Sequence, residues 1–282
     1  MLDAQADLGE GPVWDAASRR LLWVDITRGL VHRFDPATSS DERFDVGRPV
    51  GAAAPTASGS FALAIEDGFA LLDPTTGRVE TVASVAAPHT MMNDGKCDPR
   101  GRFWAGTKDA ESDRPIGSLY RMGPDRAVVE ILTGIAISNG LAWSPDERTM
   151  YYIDSPTYGI DAFDFDPATG DVAKRRRLVD LPRGWGLPDG MTIDEEGCLW
   201  VAFWSGSAIR RLDPGGGVRT LVRLPVSQVT SCTFGGEDLG DLYVTSARIG
   251  LAPDQLATEP QAGGLFRLRP GVRGLAAAPF RG

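Results

Sequence analysis

Residues 150–178 read MYYIDSPTYGIDAFDFDPATGDVAKRRRL, and this stretch contains the unit from which the fold can be predicted. An aromatic, β-rich run occupies 150–155, and a turn containing Asp166 and Pro167 follows a second such run. Aromatic and β-branched residues are enriched in strands, whereas aspartate followed by proline favours a tight turn. The stretch therefore predicts short strands connected by tight turns.

The same turn recurs along the whole chain. Its six prolines are Pro36, Pro74, Pro124, Pro167, Pro214 and Pro270, at spacings of 38, 50, 43, 47 and 56 residues. An aromatic or aliphatic strand precedes each turn, at 21–26, 61–65, 102–107, 150–155, 198–204 and 241–247. Six copies of this kind are typical of a six-bladed β-propeller with a central channel. A β-sandwich with fortuitous turns is the alternative, but it gives no reason for six copies in phase.

Length and composition place limits on the domain organisation and on the partners. Six repeats of 47 residues account for all 282, so we expect one all-β propeller domain over 1–282. The net charge of −9 argues against nucleic acid or an anionic membrane as the partner, because both require a basic surface. The acidic start is unlike a signal peptide, and three scattered cysteines indicate a reducing compartment, so we expect a cytoplasmic protein.

Polar residues recur at one phase of the repeat, 11 to 13 positions before the aromatic residue of the second strand. They are Glu10, Asn93, Asn139, Asp189 and, in the sixth repeat, Ser231. The first strand of each propeller blade lines the channel, so these side chains should converge on the axis. Two carboxylates and two amides suit a hard divalent cation such as calcium, magnesium or manganese, and zinc is a further candidate. The alternative is that each Asx-Gly or Glu-Gly pair only forms a turn.

Four long motifs extend from these polar positions. They are LGEGPVWD at 8–15, NDGKCDPRGRFWAGT at 93–107, ISNGLAWSPDERTMYYIDS at 137–155 and PDGMTIDEEGCLWVA at 188–202. In these motifs the chain resembles the senescence marker protein, regucalcin and gluconolactonase family over nearly its whole length. The resemblance implies a six-bladed propeller, in agreement with the repeat count.

The resemblance also implies a set of site residues. Glu10, Asn139 and Asp189 match the family's ligands to a single divalent metal ion, and Asn93 matches a residue that contacts substrate or a metal-bound water. Asp189 further matches the catalytic base of the lactonases. The implied activity is a metal-dependent hydrolase that opens a small sugar-type lactone, such as an aldonolactone, to its hydroxy acid with activated water.

Two rim positions depart from the family pattern or match it incompletely. Met91 stands where sugar lactonases often carry a substrate-binding arginine, so we expect a less polar pocket and a less hydroxylated substrate. Asp113 is the nearest match to an acidic substrate-binding residue, and His89 lies in the same rim segment, so both are candidate substrate contacts. Hydrolysis of phosphoesters or phosphofluoridates at the same metal, or calcium-dependent regulation without turnover, are the alternative functions. We expect a monomer whose partner is a small molecule.

Overall fold

The computed structural model describes residues 1–282 and contains six antiparallel sheets. The first three sheets consist of β1 (Gly9–Asp15), β2 (Arg20–Asp25), β3 (Leu30–Asp35), β4 (Ser40–Asp45), then β5 (Val50–Pro55), β6 (Phe61–Ile65), β7 (Gly68–Leu72), β8 (Val79–Ser84), then β9 (Thr90–Cys97), β10 (Phe103–Asp109), β11 (Gly117–Met122), β12 (Val128–Ile135). The other three consist of β13 (Ser138–Trp143), β14 (Thr149–Asp154), β15 (Gly159–Phe165), β16 (Val172–Asp180), then β17 (Leu187–Ile193), β18 (Leu199–Trp204), β19 (Ala208–Leu212), β20 (Val218–Arg223), then β21 (Val229–Gly235), β22 (Asp241–Ser246), β23 (Phe266–Leu268).

Helical structure is confined to short segments. They are the α-helix α1 (Pro253–Thr258) and two 3-10 turns, Ser155–Thr157 and Arg183–Trp185. No helix is long and apolar enough to span a membrane. The predicted all-β, six-bladed propeller is therefore confirmed, with one sheet per blade.

The recurring turn has a structural explanation. In the first five blades it connects the third strand to the fourth. In four of these blades the carboxylate of the aspartate before the proline closes the turn. Asp35, for example, accepts a hydrogen bond of 2.8 Å from the backbone N–H of Ala37, and Asp166 accepts one of the same length from Ala168. Such Asx turns satisfy backbone donors locally, and the proline between them fixes φ. This role explains why an aspartate precedes the proline in four of the turns.

Burial decreases from the channel to the rim of each blade. In the first blade β1 is almost wholly buried, whereas five of the six residues of β4 are half-buried or exposed. The aromatic residues of the second strands fill the space between blades, and Trp23, Trp104 and Trp200 are each at most 1% exposed. Large buried aromatic side chains dominate core energetics, so these positions hold neighbouring blades together.

The N-terminal segment closes the ring. The sixth sheet has only three strands of its own, and residues 2–6 run along its outer edge. Leu2 and Leu265 exchange both backbone hydrogen bonds, at 3.2 and 2.9 Å, and the N–H of Ala6 donates to Gly263 at 2.9 Å. The first and last blades are thereby joined through chain segments more than 250 residues apart, which removes an exposed sheet edge.

The C-terminal segment, residues 271–282, crosses the channel at the end where the inner strands of the blades terminate. It forms backbone hydrogen bonds with four blades, at Glu195 in the fifth, Leu239 in the sixth, Pro55 in the second and Gly101 in the third. Its aromatic side chain, Phe280, is fully buried in the core between the second and third blades. The segment therefore fastens four blades together after the last strand has ended.

Phe280→Ala should destabilise the protein by about 3–5 kcal/mol, because a fully buried aromatic side chain leaves a cavity when truncated. Urea denaturation followed by tryptophan fluorescence measures this directly. Leu275→Ala is the matched control, since Leu275 lies in the same segment and is 37% exposed. Equal stability of the two variants would show that the segment does not fasten the blades.

Candidate metal and catalytic site

Each predicted polar residue lies in the first half of an inner strand, at a point where the strand is irregular. Glu10 is on β1, Asn93 on β9, Asn139 on β13 and Asp189 on β17. The pairing register between the first and second strands shifts at or beside this position in all six blades. A β-bulge bends the strand and redirects its side chains, which explains how these four come to face the channel. Ser231, the fifth residue at this phase, is buried on β21, where a Cβ at position 190 would lie 2.1 Å from its hydroxyl oxygen.

Two glycines allow the inner strands to approach one another there. A side chain at position 51 would place its Cβ 2.0 Å from the backbone oxygen of Asn93, and one at position 140 would lie 2.8 Å from that of Asp189. Real Cβ atoms do not come so close to backbone, so Gly51 and Gly140 are required by the packing. The small second-repeat residue thus gives room to Asn93 rather than contributing a polar group.

The two asparagines are positioned by hydrogen bonds. Asn93 Nδ2 donates to the backbone oxygen of Ser138 at 2.9 Å and to Asn139 Oδ1 at 3.2 Å. Asn139 Nδ2 donates to Ser155 Oγ at 2.8 Å, and that hydroxyl donates to the backbone oxygen of Pro188 at 2.6 Å. Both amide nitrogens are therefore held by protein partners. The amide oxygens retain lone pairs that are free to accept further partners.

The carboxylates lie in an unfavourable electrostatic environment. Burial raises the pKa of Glu10 well above its usual value, and the charges of Asp189 and Asp94 raise it further. Burial and then the charge of Asp94 raise the pKa of Asp189 in the same way. The ammonium of Lys108 opposes both increases without cancelling them. Buried carboxylates that repel one another need a nearby cation to remain ionised.

The oxygen atoms at this site fit a divalent cation. Asp189 Oδ1 is buried and has no hydrogen-bond partner, which is costly for an ionised group. No group of three or more His, Cys, Asp or Glu side chains is arranged to hold a metal ion. An ion here would therefore use an amide oxygen beside the carboxylates, and such all-oxygen sets favour hard cations.

Two charged residues at the site were not predicted from the sequence. Asp94, next to Asn93, is buried and its charge acts on both Glu10 and Asp189. Lys96 donates a hydrogen bond of 2.5 Å to the backbone oxygen of Met191, and its charge lowers the pKa of Asp94, which burial raises. The NDGK sequence contains both residues, but regular strand alternation would place Asn93 and Asp94 on opposite faces. The β-bulge between Met92 and Gly95 interrupts this alternation, so both polar side chains can act on the axial site.

The two rim candidates lie outside this buried cluster. His89 and Asp113 are both exposed, on the loops before β9 and after β10. His89 Nδ1 lies 3.5 Å from Glu111 Oε1, and its backbone oxygen accepts a hydrogen bond of 2.9 Å from Ala110. Met91 is half-buried on β9 below them. The structure thus brings together Glu10, Asn93, Asn139 and Asp189, and leaves His89 and Asp113 at the channel mouth.

A cavity of about 230 Å³ lies at the opposite end of the channel. It is lined by the later residues of the inner strands, such as Val13 and Thr192, and by Leu275–Ala278 of the C-terminal segment. None of the four predicted polar residues lines it. Lys96, whose charge acts on Asp94, does line it, so the polar cluster and this mostly apolar cavity adjoin each other along one channel.

Comparison with known proteins places the chain in a family. Residues 8–248 match the model described as SMP-30/Gluconolactonase/LRE-like region. A relative named regucalcin from Gallus gallus is 44% identical over 98% of this chain and 95% of its own length. The crystal structure of a calcium-binding protein, regucalcin, from Agrobacterium tumefaciens has a TM-score of 0.94 at 30% identity, covering 99% of this chain and 95% of the other. A luciferin-regenerating enzyme has a TM-score of 0.91 at 34% identity, covering 98% and 96%. The chain belongs to the SMP-30/gluconolactonase/LRE-like family.

Proposed function

We propose that this protein is a divalent-metal-dependent lactonase that hydrolyses a small sugar-type lactone to its hydroxy acid. The observation that carries the proposal is the unpartnered, buried Asp189 Oδ1 beside a second buried carboxylate, Glu10, and two amide groups. A family description that includes gluconolactonase supports the same chemistry. The substrate would be a small molecule that enters at the channel mouth, and the protein would act as a cytoplasmic monomer.

Glu10, Asn139 and Asp189 would hold the ion, as two carboxylates and one amide oxygen. A bound divalent cation supplies a Lewis acid for the lactone carbonyl and a lower pKa for water. The remaining roles fall to the protein. The side chain of Asn93, fixed by its bonds to Ser138 and Asn139, would orient the substrate or the water. A fixed orientation of the reacting groups removes part of the entropic barrier to reaction.

Asp189 would act as the base. The water oxygen forms a bond to the carbonyl carbon while its proton passes to the Asp189 carboxylate. The ring C–O bond then breaks, and the proton is returned to the leaving oxygen, which yields the hydroxy acid. Proton transfer by a positioned side chain typically contributes about 10²–10⁴-fold to the rate. The bulge at Pro188–Met191 supports this role by holding Asp189 toward the channel.

A lactone panel tests the proposed function. The purified protein is stripped of metal, supplied in turn with calcium, magnesium, manganese or zinc, and assayed for acid release by pH-stat titration. We expect hydrolysis of at least one lactone that depends on added metal. Absence of hydrolysis with every ion, when binding of the ion has been verified by calorimetry, would contradict the proposal. A rate on aryl phosphoesters or phosphofluoridates far above every lactone would assign the site to that chemistry instead.

Calcium-dependent regulation without turnover is the second candidate, because the Agrobacterium relative of similar structure is described as a calcium-binding protein. The two functions differ in what Asp189→Asn does. The variant keeps an oxygen donor for the ion but loses the base. Retained metal binding with a complete loss of hydrolysis would favour the lactonase, whereas a protein with tight calcium binding and no activity before substitution would favour regulation.

A further inference from the structure

Lys108 occupies the channel mouth between the two strands that carry the asparagines. On one side its backbone pairs with Met91, two residues before Asn93. On the other side it forms a bridge with Ile137, two residues before Asn139. Residues directly opposite each other in an antiparallel pair have neighbouring side chains on one face. The side chains of Lys108 and Met91 therefore lie next to each other on one face of the sheet, at the channel mouth.

The Lys108 ammonium has no ionic partner of its own. The side chain is half-buried and forms neither a hydrogen bond nor a salt bridge in the structure. Its charge nevertheless reaches across the channel, since it lowers the pKa of both Glu10 on β1 and Asp189 on β17.

When the charges at the site are added up, the positive charge of Lys108 has no negative charge to balance it. Asp94 and Lys96 act on each other with opposite signs, so the two together contribute no net charge. A divalent ion would balance the two carboxylates that hold it, Glu10 and Asp189. The positive charge of Lys108 is then unmatched at a partly dehydrated position, where a charge attracts an opposite charge more strongly than it does in water.

We infer that Lys108 selects a lactone that carries a carboxylate substituent, which it binds at the channel mouth while the ring faces the axial site. This inference rests on the proposed lactonase function and specifies its substrate class. The apolar Met91 taken alone predicts a substrate with fewer hydroxyl groups. The adjacent ammonium changes that expectation, because a cation binds an anionic group more strongly than it binds a hydroxyl group.

Two lactones that differ at one carbon test the inference. D-glucono-γ-lactone ends in a hydroxymethyl group, and D-glucaro-γ-lactone has a carboxylate at the same carbon. The metal-loaded protein should hydrolyse the acidic lactone with a kcat/KM at least about tenfold higher, the size of one charge-assisted hydrogen bond. Lys108→Met should remove this preference, mainly through KM, and Lys108→Arg should retain it. Lys174→Met is the matched control, because that lysine side chain is 81% exposed on β16.

The outcomes separate this inference from the function on which it rests. Hydrolysis of the neutral lactone with no preference for the acidic one, or a preference that Lys108→Met leaves intact, would overturn the inference and keep the lactonase. If neither lactone is hydrolysed, the proposed function fails for this pair, and calorimetric binding of gluconate and glucarate to the metal-loaded protein decides the inference. Glucarate should then bind about tenfold more tightly, and only while Lys108 is present.

Discussion

Asp189→Ala should lower kcat/KM for lactone hydrolysis by about a thousandfold or more, because the substitution removes the proposed base and one proposed oxygen ligand together. It should also abolish the increase in Tm that a divalent ion produces. The metal-free variant should be at least as stable as the metal-free native protein, since it lacks a buried carboxylate that repels Glu10 and Asp94. Steady-state kinetics and thermal unfolding measure these effects on the same samples.

Asp180→Ala is the control for Asp189→Ala. Asp180 ends the outer strand β16, and its side chain is 86% exposed, so its loss should change neither rate nor Tm appreciably. A native rate in the Asp189→Ala protein would exclude Asp189 as the base. Retention of the metal-induced Tm shift in that variant would exclude it as a ligand. The combination of lost activity and raised metal-free stability is typical of a residue kept for function rather than for folding.

Removal of the metal should abolish activity and lower Tm by about 5 °C. A ligand at a hundredfold excess over its Kd stabilises the folded state by about 2.7 kcal/mol, which for a protein of this size is a shift of several degrees. The physical cause is the repulsion among Glu10, Asp94 and Asp189, which a divalent ion would offset. Dialysis against a chelator, followed by thermal unfolding and assay, tests this, and addition of the ion should restore both properties.

Asp189→Ala also serves as the control for metal removal. Since that variant should have no axial ion, chelation should leave its Tm unchanged. Equal Tm and equal rate of the native protein before and after chelation, with metal loss verified by elemental analysis, would show that the axial oxygens hold no functional ion. A Tm shift of the same size in both proteins would place the stabilising ion elsewhere.

The architecture was predictable because its determinants are local. Each Asp-Pro turn and each aromatic second strand, such as the one around Trp104, is encoded within a short stretch of sequence, so each copy gave independent information. The pairing register of the two segments that close the ring was not predictable. The bonds between Leu2 and Leu265 join two distant segments, neither of which has the pattern of a regular strand. The C-terminal segment around Phe280 was missed for the same reason, because its hydrogen-bond partners lie in four separate blades.

The part of the site that lies at the same position in each repeat was predictable. Counting along the first strands selected Glu10, Asn93, Asn139 and Asp189, which the structure brings to one part of the channel. The same count could not find Lys108, because Lys108 belongs to a second strand and reaches the channel through its pairing with Met91 and Ile137. A charge on a neighbouring strand can be placed at the site only when the pairing of the strands is known, and the position of a residue within its repeat does not give that pairing.

Anomalous diffraction from crystals grown with manganese tests the central claim most directly. The account predicts one strong peak on the channel axis, about 2.0–2.6 Å from carboxylate oxygens of Glu10 and Asp189 and from the amide oxygen of Asn139. The peak should be absent in crystals of the Asp189→Ala variant. An axial channel without a peak at saturating manganese, or a peak bound only by other residues, would contradict the account.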